Sequence, residues 1–417
     1  MNLNIIKINK FITFLLLFYY QFSNYTNSGL GIWNPSVLMS TLIVGLLIIH
    51  IIVTVFLYNK NTLPLKYLVL FLLPYAALMG MMNGADRSAM VFDLNIGCLL
   101  LLGICLTGFE DKEILKLLII LAVPSCLLSV FELSRTDAST INTLVATREG
   151  LWEQPVFFCA TFFWLMVALL ISSFIFKRNY FLAILCVILN AAINLISTKR
   201  LFIVEIAWML LVLMFVLTRI NGRAKNLLPL IIALAFVIGF SSYFLSRSSI
   251  DVNMWSEKQT SRFEEDDLES SGFIRFRESQ RAFAKSPVVI TMIGHGFGVP
   301  HHGISDFSNT HSLHIGITNI IYQFGLWLVI PYLIMLFRTL KEWRNVRWMY
   351  NIDKWRLVSL LVVIVQTPVF FFVGNYWTIT PSVTFFWYFL CRSLITKKDN
   401  NDWENEKLFF KPAKATR

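Results

Sequence analysis

Apolar residues in this chain come in long runs divided by short polar breaks. Twelve runs stand out, at approximately 11–25, 37–57, 67–82, 88–108, 114–133, 155–176, 180–197, 201–218, 227–246, 312–337, 356–373 and 379–395. Each approaches the roughly 20 residues needed to cross a bilayer. Lipid offers no partner to free backbone groups, so every such run has to be helical. The pattern predicts an all-α, polytopic transmembrane protein with about 12 TM helices and no internal repeat. The first run, Phe11 to Phe22, has the length of a signal-peptide core. It lacks a small-residue cleavage site and is expected to be the first span.

The polar breaks set the orientation. With the N-terminus inside, 24 of the 36 Lys and Arg residues fall in inside segments. Of the 12 outside, seven lie in one long loop, and long loops cross largely regardless of charge. Both termini are therefore expected in the cytoplasm. The chain then divides into TM helices 1–9 over 1–246, a large extracytoplasmic loop over 247–311, TM helices 10–12 over 312–396 and a cytoplasmic tail over 397–417. A smaller outer loop covers 134–154. The inner loop 338–355, rich in Arg and Trp, suits a membrane–water interface.

Composition agrees with this division. The chain is 56% apolar and 15% charged, whereas soluble domains sit nearer half and a quarter. The net charge of +11 follows from the cytoplasmic excess of Lys and Arg, and no pattern of a nucleic-acid-binding domain accompanies it. All six cysteines lie inside apolar runs without a CxxC. Neither a disulfide framework nor a cysteine metal site is expected.

Candidate chemistry gathers outside. Five of the six histidines, His295, His301, His302, His311 and His314, lie at the end of the long loop and the start of span ten. Histidine titrates near neutrality and suits proton transfer. No carboxylate accompanies these residues at a ligand spacing, so no metal is expected. Within the loop, 261–270 is an acidic stretch that reads as a solvated segment. Residues 271–286 have the pattern of an amphipathic helix with Phe273, Phe276 and Phe283 toward the membrane. Arg277, Arg281 and Lys285 recur every four residues and share a face. Like charges at that spacing repel one another, and a bound anion would relieve them. Pro287 is expected to end the helix. Gly294, Gly296 and Gly298 alternate through Gly-His-Gly-Phe-Gly, a spacing that lets backbone turn sharply and approach a ligand, or simply forms a tight loop. Lys199 and Arg200 close span seven on the outer side, against the positive-inside bias, and Arg148 is a further outer cation. Arginine's planar fork suits a phosphate.

In this order the features resemble the bacterial O-antigen polymerases of the Wzy type and the related O-antigen ligases, which are integral membrane glycosyltransferases. The likeness covers nearly the whole chain in architecture and about 147–325 in motifs. An Arg-Xaa-Xaa-Gly segment before a span corresponds to Arg148 and Gly150, one residue tighter, with Pro155 following. A Ser-Xaa-Xaa-Arg helix end corresponds to Ser197 and Arg200. An Arg-led helix, a proline and a Gly-Xaa-Gly-Xaa-Gly loop correspond to Arg275, Pro287 and Gly294–Gly298. A histidine opening the next span, with a glycine about three turns later, corresponds to His311 or His314 and Gly325, here without the usual His-Asn pair. The aromatic that usually follows the helix Arg is Ser279 here.

The resemblance implies a cofactor-free, metal-independent transfer between glycans carried on undecaprenyl pyrophosphate. In that reading Arg200 acts with His311 or His314 in catalysis. Arg148, Lys199, Arg275, Arg277, Arg281, Gly296 and Gly298 bind the pyrophosphate and glycan. The place is the bacterial inner membrane, the partners are membrane lipids with a chain-length regulator and a flippase, and no nucleic acid is involved. Polymerase is the first expectation, ligase the second. A multi-span transporter or flippase is the alternative outside this class, with Asp93 and Glu205 as its buried charges.

Overall fold

The computed structural model describes residues 3–28, 37–57, 65–135, 163–177, 179–196, 207–212, 276–284, 286–302, 309–310, 313, 316–345, 354–372 and 381–394, with isolated positions between 214 and 257. These residues form helices: α1 (Leu3–Ser28), α2 (Val37–Leu57), α3 (Leu65–Met82), α4 (Arg87–Cys105), α5 (Asp111–Arg135), α6 (Phe163–Phe176) and α7 (Tyr180–Ile196). After helical residues 207–212 come α8 (276–284), α9 (Val288–Ile293), α10 (Gly316–Phe324), α11 (Leu326–Asn345), α12 (Lys354–Phe372) and α13 (Pro381–Leu394). The chain is all-α apart from one antiparallel pairing of two residues on each side, His301 with Thr310 and His302 with Asn309.

Helix ends follow local chemistry. Asp86 caps α4, its Oδ1 accepting from the backbone N–H groups of Ser88 and Ala89 at 2.9 and 3.0 Å. At the start of α5, Glu113 reaches back to the N–H of Glu110 at 2.9 Å, which satisfies a donor the helix leaves free. Helix α4 is central. It packs against α2, α3 and α13, and its residues from Asn95 onward are nearly all buried.

The core is apolar, and helix α2 also exposes an apolar stripe while burying polar groups. On α2, Leu42, Leu46 and Ile49 are 55%, 62% and 61% exposed, while His50 and Thr54 are buried. Buried polar groups pair between helices: His50 with Thr13 at 2.7 Å, Thr54 with Asn9 at 3.1 Å, Tyr20 with Asn95 at 2.7 Å. Among the described residues, two helical stretches, Ile5–Phe22 and Arg87–Gly108, are long and apolar enough to cross a membrane. Thr41–Val55, Phe71–Met82, Leu165–Phe176, Tyr180–Asn190 and Val383–Leu394 are shorter apolar helices.

The two ends of α4 carry different chemistry. Near its C-terminal end, Lys10 meets Glu113 at 2.6 Å and Arg392 meets Asp111 at 3.3 Å. At its N-terminal end the Asp86 N–H donates to the Gly298 carbonyl at 3.0 Å. Nineteen helical residues separate the ends by about 28 Å.

Span ten departs from expectation. The run 312–337 is not one helix: α10 stops at Phe324, Gly325 adopts φ 85°, and α11 resumes at Leu326. A Cβ at Gly325 would collide with the Met292 carbonyl, so the break is where α9 presses on the chain. Helix α11 also runs on to Asn345, into the segment expected to be loop.

Candidate functional site

The Gly-His-Gly-Phe-Gly loop is where the segment between α8 and α10 enters the bundle. Pro287 ends the basic helix as expected but also caps a further helix, α9, which stops at Gly294 with φ 88°. From there successive backbone donors find partners on three helices. The His295 N–H donates to the Tyr322 carbonyl at 2.7 Å and the Gly296 N–H to the Gln323 carbonyl at 3.0 Å. Both acceptors lie in the last turn of α10, where helical carbonyls lack internal partners. The Phe297 N–H donates to the Ala76 carbonyl at 2.9 Å, and the Gly298 N–H to Asp93 Oδ2 at 2.8 Å. Tyr75 Oη donates to the Ile293 carbonyl at 2.6 Å and Asn83 Nδ2 to the His295 carbonyl at 2.8 Å.

The glycines thus approach protein rather than open space. A Cβ at Gly296 would strike the Gly80 nitrogen, and one at Gly298 the Met90 nitrogen. Both carry positive φ, 91° and 71°. Between them the Phe297 ring is fully buried and meets the edge of Phe324 at 5.3 Å. The close approach expected toward a ligand is here an approach to α3 and α4. The reason is steric: Gly80 and Gly97 on those helices present no side chain to Phe297.

His295 is buried and stacked on Tyr322, with ring centroids 4.1 Å apart. Its Nδ1 lies 3.2 Å from the Tyr322 carbonyl and its Nε2 2.8 Å from Ser286 Oγ. A carbonyl only accepts, so Nδ1 carries the proton; on the other side Nε2 faces the Ser286 hydroxyl, whose single proton is shared between Nε2 and the Ala282 carbonyl 2.9 Å away. Burial holds the imidazole below its ordinary value of 6.5; the bond to the Tyr322 carbonyl opposes this, and neighbouring His301 adds to it. His301, also buried, meets Tyr322 edge-on at 5.2 Å, and Tyr322 Oη donates to the Pro300 carbonyl at 3.4 Å. With both ring nitrogens engaged, His295 organises the loop and is not set up to take a proton from a substrate.

Helix α8 lies against the same tyrosine. Glu278, Ser279 and Ala282 are buried, Ser279 Oγ lies 3.0 Å from Thr318 Oγ1, and Phe283 meets Tyr322 at 6.0 Å. Phe276 is 58% exposed. Helix α8 therefore docks on α10 through small and polar groups that match Thr318, and leaves Phe276 exposed. Arg277 and Arg281 are exposed on it, as their common spacing implies. Of the sequence candidates, Arg277 and Arg281 lie exposed on α8, Gly296 bonds to α10 and Gly298 to α4. Arg148, Lys199, Arg200, Arg275, His311 and His314 lie outside the described residues.

Sequence reasoning passed over Tyr322, Ser286, Asn319 and Gln323 as site residues and left Asp93 to the transport alternative. The signal for Asn319 and Gln323 was present: two carboxamides one turn apart in an apolar run. Among the described residues, no group of three or more His, Cys, Asp or Glu is placed to hold a metal ion.

What the arrangement offers is a rigid backbone platform at one end of a helix bundle, flanked by exposed guanidiniums able to hold phosphate oxygens. Comparison with protein-family models, with curated proteins and with solved structures finds no match.

Proposed function

We propose that this chain is an integral membrane glycosyltransferase of about twelve spans. In this reading it joins undecaprenyl-pyrophosphate-linked oligosaccharide units into a polysaccharide at the outer face of a bacterial cytoplasmic membrane. The observation that carries the reading is the return of loop 294–298 into one end of the bundle, tied to α3, α4 and α10, with Arg277 and Arg281 exposed on α8. The ion pairs Lys10–Glu113 and Arg392–Asp111 join segments assigned to the cytoplasmic side, at the other end of α4. A donor whose lipid is in the membrane and whose pyrophosphate lies at the outer face needs cations at that face. The exposed apolar stripe of α2, set against its buried His50 and Thr54, supports a lipid surround.

In the proposed reaction Arg148, Lys199, Arg200, Arg275, Arg277 and Arg281 hold the donor pyrophosphate and neutralise charge that grows as the bond breaks. His311 or His314 takes the proton of the acceptor hydroxyl. The acceptor oxygen forms a bond to the anomeric carbon, the bond from that carbon to the pyrophosphate oxygen breaks, and undecaprenyl pyrophosphate leaves.

The test is the surface polysaccharide profile of the host after gene deletion and complementation. Collapse of the ladder to a single repeat unit, unrelieved by Arg200→Ala or His314→Ala at normal protein levels, is the expected result. Full-length chains accumulating on the carrier without reaching a lipid core would instead make the enzyme a ligase. An unchanged ladder on deletion removes the glycosyltransferase reading and brings transport forward.

A further inference from the structure

Helix α10 carries two side chains that the loop platform does not use. Asn319 and Gln323 are one turn apart and fully buried. With Gly316 they share one face, and at Gly316 that face has no side chain at all. Asn319 Oδ1 accepts from the Leu313 N–H at 2.8 Å, so it holds the backbone between His311 and His314. Its Nδ2 has no partner among the described residues, and neither Oε1 nor Nε2 of Gln323 has one. Buried polar atoms in folded proteins are nearly always hydrogen-bonded, so three orphaned amide atoms on one helix face call for a ligand.

The chemistry of that ligand follows from the groups. Both side chains are neutral, so an anion gains nothing there that exposed arginines do not offer better. A carboxamide presents a donor and an acceptor side by side. That pair matches two neighbouring hydroxyls, each of which donates and accepts. We infer that Asn319 and Gln323 form a sugar-binding site that holds a ring of the glycan against α10, next to Leu313. The inference rests on the glycosyltransferase reading and adds the residues that grip the sugar rather than the pyrophosphate.

Amide hydrogen exchange on the full-length protein in lipid nanodiscs tests it. The probe is the repeat-unit oligosaccharide released by mild acid from the host strain's own polysaccharide. The expected result is exchange slowed several-fold across 316–324 when the oligosaccharide is added. Gln323→Met should weaken its binding at least tenfold without lowering thermal stability, because an apolar group of similar size leaves no orphaned atom; Asn319→Leu should weaken binding as much but also strands the Leu313 N–H and lowers stability. Unchanged exchange in the wild type, the result if the amides hold only water, overturns the site whether or not the variants fold. So does full-strength binding by Gln323→Met. The two readings separate cleanly. A ladder lost on deletion but kept in Gln323→Met removes the amide site and leaves the enzyme. A ladder indifferent to deletion removes the enzyme, while the exchange measurement still decides the site.

Discussion

Replacing Gly296 by alanine adds one methyl group where loop 294–298 crosses α3, and four glycines together resolve what that methyl does. At Gly45 a Cβ meets nothing within 4 Å and the backbone is helical, so alanine should stabilise by about 0.5–1 kcal/mol through reduced backbone entropy. At Gly84 there is equally open space but φ is 77°, and forcing an L-residue there costs about 1–2 kcal/mol. At Gly103, inside α4, the methyl would run into the Thr384 carbonyl on α13, and overpacking costs about 1–3 kcal/mol. Gly296 combines both penalties, φ 91° and collision with the backbone of Ala76 and Gly80. The two together cost about 2–5 kcal/mol. Thermal or chemical denaturation of the four purified variants should rank them Gly45→Ala most stable, Gly84→Ala and Gly103→Ala intermediate, Gly296→Ala least. Proteolysis within 294–300 should rise only in the last. If Gly296→Ala melts with Gly45→Ala and its loop stays protected, the loop is not seated on α3 and the platform described above does not exist.

Phe297→Ala should destabilise by about 3–5 kcal/mol in the same denaturation assay, because the ring is fully buried between Gly97 and Phe324. Asp93→Ala strands the Gly298 N–H and should cost about 1–3 kcal/mol, whereas Asp93→Asn keeps an acceptor and should cost less; protease cleavage near Gly298 reports the difference. His295 supplies a pH dependence. The fold prefers its neutral ring, so this contribution is complete above 6.5 and is lost as pH falls from 6.5 through the lowered folded value. Loop protection should decline over that interval in the wild type, and His295→Gln should flatten the decline.

Much of the helical layout was legible because long apolar runs leave little choice. Helices 65–82, 87–105, 111–135, 180–196, 354–372 and 381–394 fall on runs read from the pattern alone. Span ten was not legible as two helices. Hydropathy is blind to φ, and one glycine in an apolar run carries no mark of whether its neighbours press on it. Helix α8 was read with its phenylalanines toward the membrane, and Phe276 is exposed; that Ser279 and Ala282 are the residues covered was not legible, because Thr318 and Tyr322, which cover them, belong to another segment. Arg277 and Arg281 were readable as one face, since a spacing of four on a helix depends on nothing outside it.

What the sequence determined by itself is local or one-dimensional: helical class, the exposed pairing of Arg277 with Arg281, a glycine-rich turn before a further helix, and the gathering of histidines near it. What only the tertiary structure decided is where each of these points. The three glycines of 294–298 are used up against α3, α4 and α10, His295 is locked between Ser286 and Tyr322, and Asn319 and Gln323 turn three amide atoms to the interior. Backbone contact between residues more than 200 apart, such as Phe297 with Ala76, leaves no trace in the spacing of either segment. Sequence patterns report the period of a helix and the solvent it prefers; which neighbour fills a given face is a property of the packed bundle.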